Sequence, residues 1–269
     1  MNIKAAYQYV LGNICKSIIV YYIILIVCYL LSFSPFLFSS THNTQYDSMN
    51  RIVSHTVIHS ELSGMEFITV IFIFIMGYYA LRNNFGPLIQ NSISRKTIFI
   101  NEGLVSLTFT LILTSISELL LIITKIVASV VSVPNNTIEC SSLYENIYNL
   151  EDVSFGGIFF HITNYLYNYF LFLFFMITGF LFSLIYYRIS RIVKIILNVC
   201  ILSVVLMYQQ IVERMSNTRL KEAVSDFADA IFGISSNQPA FAMITFLILS
   251  AIVAYFIWLL LRRANVREY

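Results

Sequence analysis

Arg82-Asn-Asn-Phe-Gly-Pro-Leu-Ile-Gln-Asn-Ser-Ile-Ser-Arg-Lys96 separates two long apolar runs and decides how the fold of this chain is interpreted. A linker between two membrane helices needs only to be hydrophilic, yet this segment, called the hook below, also carries apolar side chains. These side chains stand among polar ones and are Phe85, Leu88, Ile89 and Ile93. The pattern predicts a short amphipathic segment that docks onto a partner at the membrane surface.

The composition on either side of the hook is that of a membrane protein. Hydrophobic residues make up 58% of the 269 and charged residues 11%, and the mean hydropathy is +0.79. Soluble domains carry about 25% charged residues, so we predict an all-α polytopic membrane protein with a single transmembrane domain over residues 1–269. Its six apolar runs cover residues 18–38, 64–81, 98–123, 165–187, 192–211 and 241–261.

These runs favour helical spans over the strands of a barrel. Each is continuous rather than alternating, and about 20 helical residues cross the hydrocarbon core. A cleaved signal peptide is the alternative for the first run. That run exceeds the roughly 7–15 apolar residues of such peptides, so we expect an anchored span.

The basic residues predict which way the chain faces. With both termini in the cytoplasm, 11 of the 16 lysines and arginines lie inside, as the positive-inside rule requires. This layout places the hook in the cytoplasm, between spans two and three. It also makes the polar loops 39–63 and 133–157 extracellular, and we expect a multi-pass protein of the cell membrane.

Two further amphipathic segments are predicted outside the spans. The first sixteen residues place Tyr7 and Val10 on one apolar face, as in a helix that lies in the cytoplasmic interface. Residues 213–238 predict an extracellular helix between spans five and six. Gly233 is a natural stop for that helix, and Pro239 suits the first turn of the last span.

Signatures of catalysis are missing from the sequence. It contains no G-x-x-x-x-G-K-[ST] phosphate loop, no G-x-S-x-G elbow and no H-E-x-x-H motif. We therefore predict no catalytic residue, no cofactor and no metal site. His55 and His59, with Glu61 nearby, would share one face of a helical turn and leave a divalent-metal site as an alternative, although solvated loop histidines are the simpler interpretation.

Glu118 is the acid that hydropathy places within a span. An intramembrane carboxylate is by default a candidate for a proton or substrate pathway. Counting along the helix places it at the outer boundary of the membrane, where packing or an interfacial position would also account for it. Lys125, about 10 Å further along the axis, is too distant for a simple close pair with Glu118.

The layout and the hook together resemble the permease subunits of type 2 (ABC-2) ATP-binding-cassette exporters. The motif Asn84-Phe-Gly-Pro-Leu-Ile-Gln-Asn-Ser-Ile-Ser-Arg-Lys-Thr-Ile-Phe-Ile100 is similar to the Phe…Gln-Asn-Gly-hydrophobic-Ser-Arg-Lys pattern of such permeases from low-GC Gram-positive bacteria, with Ser92 in place of the glycine. The resemblance implies an N-terminal elbow helix, six spans, a cytoplasmic coupling helix between spans two and three, and an extracellular helix between spans five and six. It assigns ATPase coupling to Phe85, Gly86, Leu88, Ile89, Gln90, Asn91, Ser94, Arg95 and Lys96.

The resemblance also implies partners and a function. Two separate ATPase subunits would hydrolyse ATP, a second copy or a sister permease would complete the pathway, and the lipid bilayer would surround it, with no role for nucleic acid. An amphiphile such as a peptide, antibiotic or lipid would move outward across a bacterial plasma membrane, with antimicrobial peptide resistance as one use. The alternatives are a non-transporting membrane sensor that binds through its extracellular loops and, more weakly, an intramembrane enzyme.

Overall fold

The computed structural model is dominated by helices, with short strands outside them. It describes residues 7–8, 10–12, 17–23, 44–46, 52–54, 56–61, 63–90, 93–131, 136–148, 157–190, 192–196 and 238–262, with positions 198, 203, 226, 232 and 233. The strands are β1 (Thr44–Tyr46), β2 (Ile52–Ser54), β3 (Thr56–Glu61) and β4 (Asn136–Ser141). The helices are α1 (Ser63–Gln90), α2 (Arg95–Val131), α3 (Leu143–Tyr148), α4 (Ile158–Arg188) and α5 (Pro239–Arg262).

Three of the described helices are long and apolar enough to cross a membrane. They are α2 over Arg95–Ile126, α4 and α5, and they contain the predicted runs 98–123, 165–187 and 241–261. In α1 the apolar part, Glu66–Ala80, is shorter. The first run is described only up to residue 23, and the fifth only at 192–196 and two isolated positions, so the count of six spans lies partly outside the described residues.

Side-chain contacts give the directions of these helices. Glu66 of α1 meets Asn168 of α4, and further along the pair Phe74 meets Phe182, so α1 and α4 run parallel. Helices α4 and α5 also run parallel, since Tyr167 packs on Phe246 and, further along both helices, Arg188 bonds the carbonyl oxygen of Leu260. By contrast α2 is antiparallel to α4 and α5, the order expected if α1, α2, α4 and α5 are the second, third, fourth and sixth spans.

A close contact in the bundle is a glycine crossing between α1 and α4. A Cβ atom built on Gly77 would lie 2.2 Å from the carbonyl oxygen of Met176, and one built on Gly179 would lie 2.2 Å from that of Phe74. The two helix backbones therefore touch at a point where only glycine fits. Small residues allow such close approach in membrane bundles, where van der Waals packing drives association.

The loops expected outside the membrane contain the four strands. β1 pairs with β2 in an antiparallel hairpin, and β3 pairs with β4 in parallel, with Thr56 opposite Asn136 and Glu61 opposite Ser141. The parallel pair links two loops that lie on either side of α1 and α2 in the chain. It also corrects the helical turn considered for His55 and His59, because residues 56–61 form an extended strand.

Parts of the other predicted segments are described. Val10 is fully buried, and the hydroxyl of Tyr7 donates to Thr108 Oγ1 at 3.1 Å, so both residues of the predicted N-terminal face contact the bundle. Gly233 adopts a φ of 63°, the left-handed conformation of a helix stop. Pro239 begins α5, as predicted. Residues 8, 11, 12, 226, 232 and 238 of the two amphipathic segments are also described, and the rest of both segments lies outside the described residues.

Candidate functional site

The hook differs from its predicted layout in one respect. Its first nine residues, 82–90, continue α1 as one unbroken helix rather than forming a separate helix after a span that ends at residue 81. Five of the predicted coupling residues therefore lie in the last turns of α1, and they are Phe85, Gly86, Leu88, Ile89 and Gln90. Their side chains, and the whole of Asn91, lie outside the described residues.

The remaining coupling residues form the start of α2. Ser94 caps this helix, because its Oγ accepts a hydrogen bond from the backbone N–H of Thr97 at 3.2 Å. Arg95 donates from Nη1 to the carbonyl oxygen of Arg262 at 2.9 Å, which joins the start of α2 to the end of α5. Lys96 is exposed and Ile93 is buried. The basic pair thus divides into one arginine held by the bundle and one lysine open to a partner.

A buried polar network lies at the opposite end of the same helices. The carboxylate of Glu118 on α2 lies 2.7 Å from His161 Nδ1 and 2.6 Å from Asn164 Nδ2, both on α4. On the other side of Asn164, Asn168 Nδ2 lies 3.4 Å from Asn164 Oδ1 and 3.0 Å from Glu66 Oε1. Apart from the partly exposed His161, these residues are at most 9% exposed, so α1, α2 and α4 share one internal polar chain.

The short helix α3 is attached to this network at its N-terminus. Glu66 Oε2 accepts a hydrogen bond from the backbone N–H of Leu143, the first residue of α3. Ser142 and Glu145 form a capping box, in which each side chain bonds the other residue's backbone N–H, at 3.1 Å and 2.5 Å. The other carboxylate oxygen of Glu145 accepts from Lys125 Nζ on α2 at 2.5 Å. An acid on α1 and a base on α2 therefore hold α3 against the bundle.

Aromatic rings enclose the same region. Tyr144 of α3 packs on Tyr167 of α4 with ring centroids 5.6 Å apart, and Tyr148 donates its hydroxyl to the carbonyl oxygen of Phe232 at 2.9 Å. Burial raises the pKa of Tyr148 to about 12, and the charge of Tyr144 acts in the same direction. Burial also raises the pKa of Tyr144, with Glu145 as the second cause. The rings separate the network from solvent on the α3 side.

Among the network residues only Glu118 was a candidate from the sequence. The structure gives it two partners on α4, while Lys125 pairs with Glu145, in agreement with the prediction that Lys125 is too distant for a simple close pair with Glu118. A signal for the other residues exists: His161, Asn164 and Asn168 are spaced i, i+3, i+7 and so share one helical face. Polar side chains at that spacing in an apolar helix point inward.

The comparisons with known proteins give no relative. No family model matches the chain, and no characterised protein or solved structure is significantly similar to it.

The acids of the network and of α3 differ in whether a charged partner lies beside them. Among the described residues, no group of three or more histidine, cysteine, aspartate or glutamate side chains is arranged to hold a metal ion. Glu118 has His161 beside it and Glu145 has Lys125, whereas the partners of Glu66 are a backbone N–H and a side-chain amide. The distribution of charge in the network is therefore uneven, with Glu66 as the exception.

Proposed function

We propose that this chain is the membrane-spanning permease subunit of an ATP-driven exporter of the ABC-2 type, which moves an amphiphilic substrate outward using separate ATPase subunits. The proposal rests on the hook motif and on one structural observation: α1 continues without a break from its apolar part into the hook. A force applied to the hook by an ATPase then acts directly on a bundle helix.

The length of this extension suits a coupling lever. The apolar part of α1 ends at Ala80 and the helix ends at Gln90, so about 15 Å of helix extends beyond it at ~1.5 Å per residue. Pro87 lies within this extension and has no N–H to bond the carbonyl of Asn83, so the helix is weakest there, but a helical extension still transmits more of a partner's motion than a flexible loop would. Residues 82–90 are therefore placed to transmit movement rather than merely to tether a partner.

The second half of the hook spreads such movement to other helices. Arg95 holds the carbonyl end of α5, and the glycine crossing locks α1 to α4 further along. Displacement of the hook would thus act on α1, α2, α4 and α5 together. Alternating access in a permease requires this kind of concerted rearrangement.

The parallel directions of α4 and α5 support the six-span layout. Two parallel helices that both cross a membrane begin on the same side of it, so the chain between them must cross back. Residues 189–238 connect α4 to α5, and they include the fifth apolar run, 192–211. That run provides the return crossing in the proposed layout, and both chain ends then lie in the cytoplasm.

The test is co-purification with the phosphate-loop ATPase encoded nearest to the gene for this chain. The double variant Phe85→Ala/Leu88→Ala should lose the ATPase and its substrate-stimulated hydrolysis, because it removes the apolar contacts of the hook. Leu119→Ala is the matched control, since Leu119 is 58% exposed on α2 and far from the hook. If the double variant binds and couples like the control, the docking assignment is wrong.

A non-transporting membrane sensor is the second candidate, and the attachment of α3 favours it. A segment between two loops is bonded to acids and bases of the bundle, so a ligand bound to the loops would act on α1, α2 and α4. The two functions differ in their need for an ATPase. A chain that binds no ATPase, but in which the amide hydrogens of α3 exchange at a different rate when ligand is added, would be a sensor.

A further inference from the structure

We propose that Glu66 is a proton-binding site, and that uptake of its proton controls how firmly α3 is held against the bundle. The inference does not depend on the exporter proposal. It rests on three observations: no described residue supplies a countercharge to Glu66, Asn168 Oδ1 has no donor among the described residues, and Glu66 on α1 bonds the first residue of α3.

The first observation concerns charge. Glu66 is 4% exposed, and its two described partners, the Leu143 N–H and the Asn168 amide, are both neutral. The negative charges of Glu118 and Glu145 both act on it. A buried carboxylate without a countercharge is costly in an apolar bundle, and a bound proton removes that cost.

The titratable groups on the surrounding elements do not supply the missing charge. At the end of the bundle that holds the network, they are Glu118 and Lys125 on α2, Tyr144, Glu145 and Tyr148 on α3, and His161, Tyr165 and Tyr167 on α4. The two that can carry positive charge already face other acids: Lys125 bonds Glu145, and His161 bonds Glu118. Within the described part of the chain, Glu66 is the network acid that faces neutral donors alone.

The second observation is an acceptor that has no donor. The network has six side-chain oxygens, on Glu66, Glu118, Asn164 and Asn168, and five of them accept a hydrogen bond. The sixth is Asn168 Oδ1, which is buried and has no hydrogen-bond partner among the described residues. The same amide donates to Glu66 from its nitrogen, so the amide beside Glu66 also carries an acceptor that no described residue uses.

Asn168 can therefore serve both forms of Glu66. As placed, its amide nitrogen donates to the carboxylate at 3.0 Å. A half-turn of the amide exchanges nitrogen and oxygen, so that Oδ1 accepts the hydrogen of a protonated Glu66, at the cost of the long 3.4 Å bond from Asn168 Nδ2 to Asn164 Oδ1. The existing contacts among these groups are 2.6–3.4 Å long. Because these groups are in direct contact, a proton can enter the network without moving them apart.

The third observation gives the proton a consequence. Glu66 Oε2 accepts from Leu143 N–H, and a carboxylate is a stronger acceptor than a carboxylic acid. Proton uptake by Glu66 therefore weakens the attachment of α3, and proton release strengthens it. Falling pH would therefore loosen the attachment of α3, which joins the loop of residues 133–157 to the bundle.

The direct test is infrared difference spectroscopy of the whole protein in lipid nanodiscs, titrated across neutral pH. We expect a protonated-carboxyl carbonyl band that disappears as pH rises in the wild type and is absent in Glu66→Gln. Glu102→Gln is the matched control, since Glu102 is also buried at 4% exposure but lies near the other end of α2. A band that survives in Glu66→Gln, or no band in the wild type, would overturn the proposal.

A second measurement follows α3 itself. Amide hydrogen exchange over residues 142–148 is compared between wild type and Glu66→Gln at each pH, which removes the intrinsic pH dependence of exchange. The wild type should lose protection relative to the variant as pH falls, and a constant ratio would contradict the proposed control of α3. If Glu66→Gln does not fold, Glu66→Asp replaces it as the test variant. This variant keeps an acid at position 66 and should shift the frequency of the infrared band. An unshifted band would belong to another acid and would refute the assignment.

Discussion

Replacing Gly77 by alanine is the sharpest test of how the bundle is assembled. The added Cβ would lie 2.2 Å from the carbonyl oxygen of Met176, more than 1 Å inside the 3.4 Å at which ordinary contact begins. The clashing atom belongs to the backbone of α4, so no side-chain rotation relieves the overlap. The two helices must separate, and inserting a methyl into a packed core typically costs about 1–3 kcal/mol.

Gly179→Ala tests the same contact from the other helix. Its Cβ would meet the carbonyl oxygen of Phe74, also at 2.2 Å. Because either alanine alone forces the helices apart, we expect the double variant to cost less than the sum of the two single variants. Independent effects at the two glycines would instead show that they do not share one crossing.

The assay is thermal unfolding of the purified protein in nanodiscs, followed by the fluorescence of its single tryptophan, Trp258. Gly103→Ala is the control, since a Cβ at Gly103 meets nothing within 4 Å and alanine favours a helix by about 0.5–1 kcal/mol. We expect Gly77→Ala to melt several degrees below wild type and Gly103→Ala to match or exceed it. Equal melting temperatures for Gly77→Ala and Gly103→Ala would refute the close approach of α1 and α4.

Three further predictions concern the two ends of the bundle. Lys125→Met should destabilise the protein by about 3–5 kcal/mol because it leaves the buried charge of Glu145 unpaired, and adding Glu145→Gln should recover part of the loss in thermal unfolding. The pKa of Tyr148 is raised from 10.0 to about 12, so its neutral form contributes stability that is present below pH 10 and is lost as pH rises through 12. The stability of Tyr148→Phe should therefore fall less steeply between pH 10 and pH 12 than that of the wild type. An unchanged slope would show that another group is responsible. Cysteines introduced at Asn91 and Asp229 should react with membrane-impermeant reagents from opposite sides of the membrane, and labelling of both from outside would overturn the topology.

Long apolar runs were enough to predict three helices but not their ends. The fourth predicted run begins at residue 165, whereas α4 begins at Ile158. The predicted start is late because the first turns of α4 contain the polar residues His161 and Asn164. Hydropathy counts these side chains as polar and excludes them. In the bundle they bond Glu118, so their polarity is satisfied inside the protein and the helix extends past the predicted boundary.

The hook shows the opposite limit of the same reasoning. Its polar composition predicted that the second span would end at residue 81, yet α1 continues to Gln90. Hydropathy reports where a helix leaves an apolar environment and says nothing about where the helix ends. The end of α1 and the start of α2 are set locally, and the cap at Ser94 could have been predicted from its position before the basic pair and the next apolar run.

Most of the buried network required the tertiary structure. Its bonds join residues 43, 46, 77 and 102 positions apart, and such pairings appear only when α1, α2, α3 and α4 pack together. Glu66 is the clearest case. A carboxylate at the start of an apolar run looks like a residue at the membrane boundary, and only the fold shows that it is buried at 4% exposure beside two other acids.

The first part of the hook and Glu66 lie on one helix, α1, and this couples their movements. Glu66 and Gln90 stand at opposite ends of α1, about 36 Å apart at ~1.5 Å per residue. A helix broken at residue 81 would let the hook move without disturbing Glu66. In the continuous helix, a tilt of the hook about the glycine crossing moves Glu66 in the opposite direction, away from or toward α3. A partner that pulls on the hook would therefore change the surroundings of Glu66, and by linkage the proton bound at Glu66 would change the affinity of the hook for that partner.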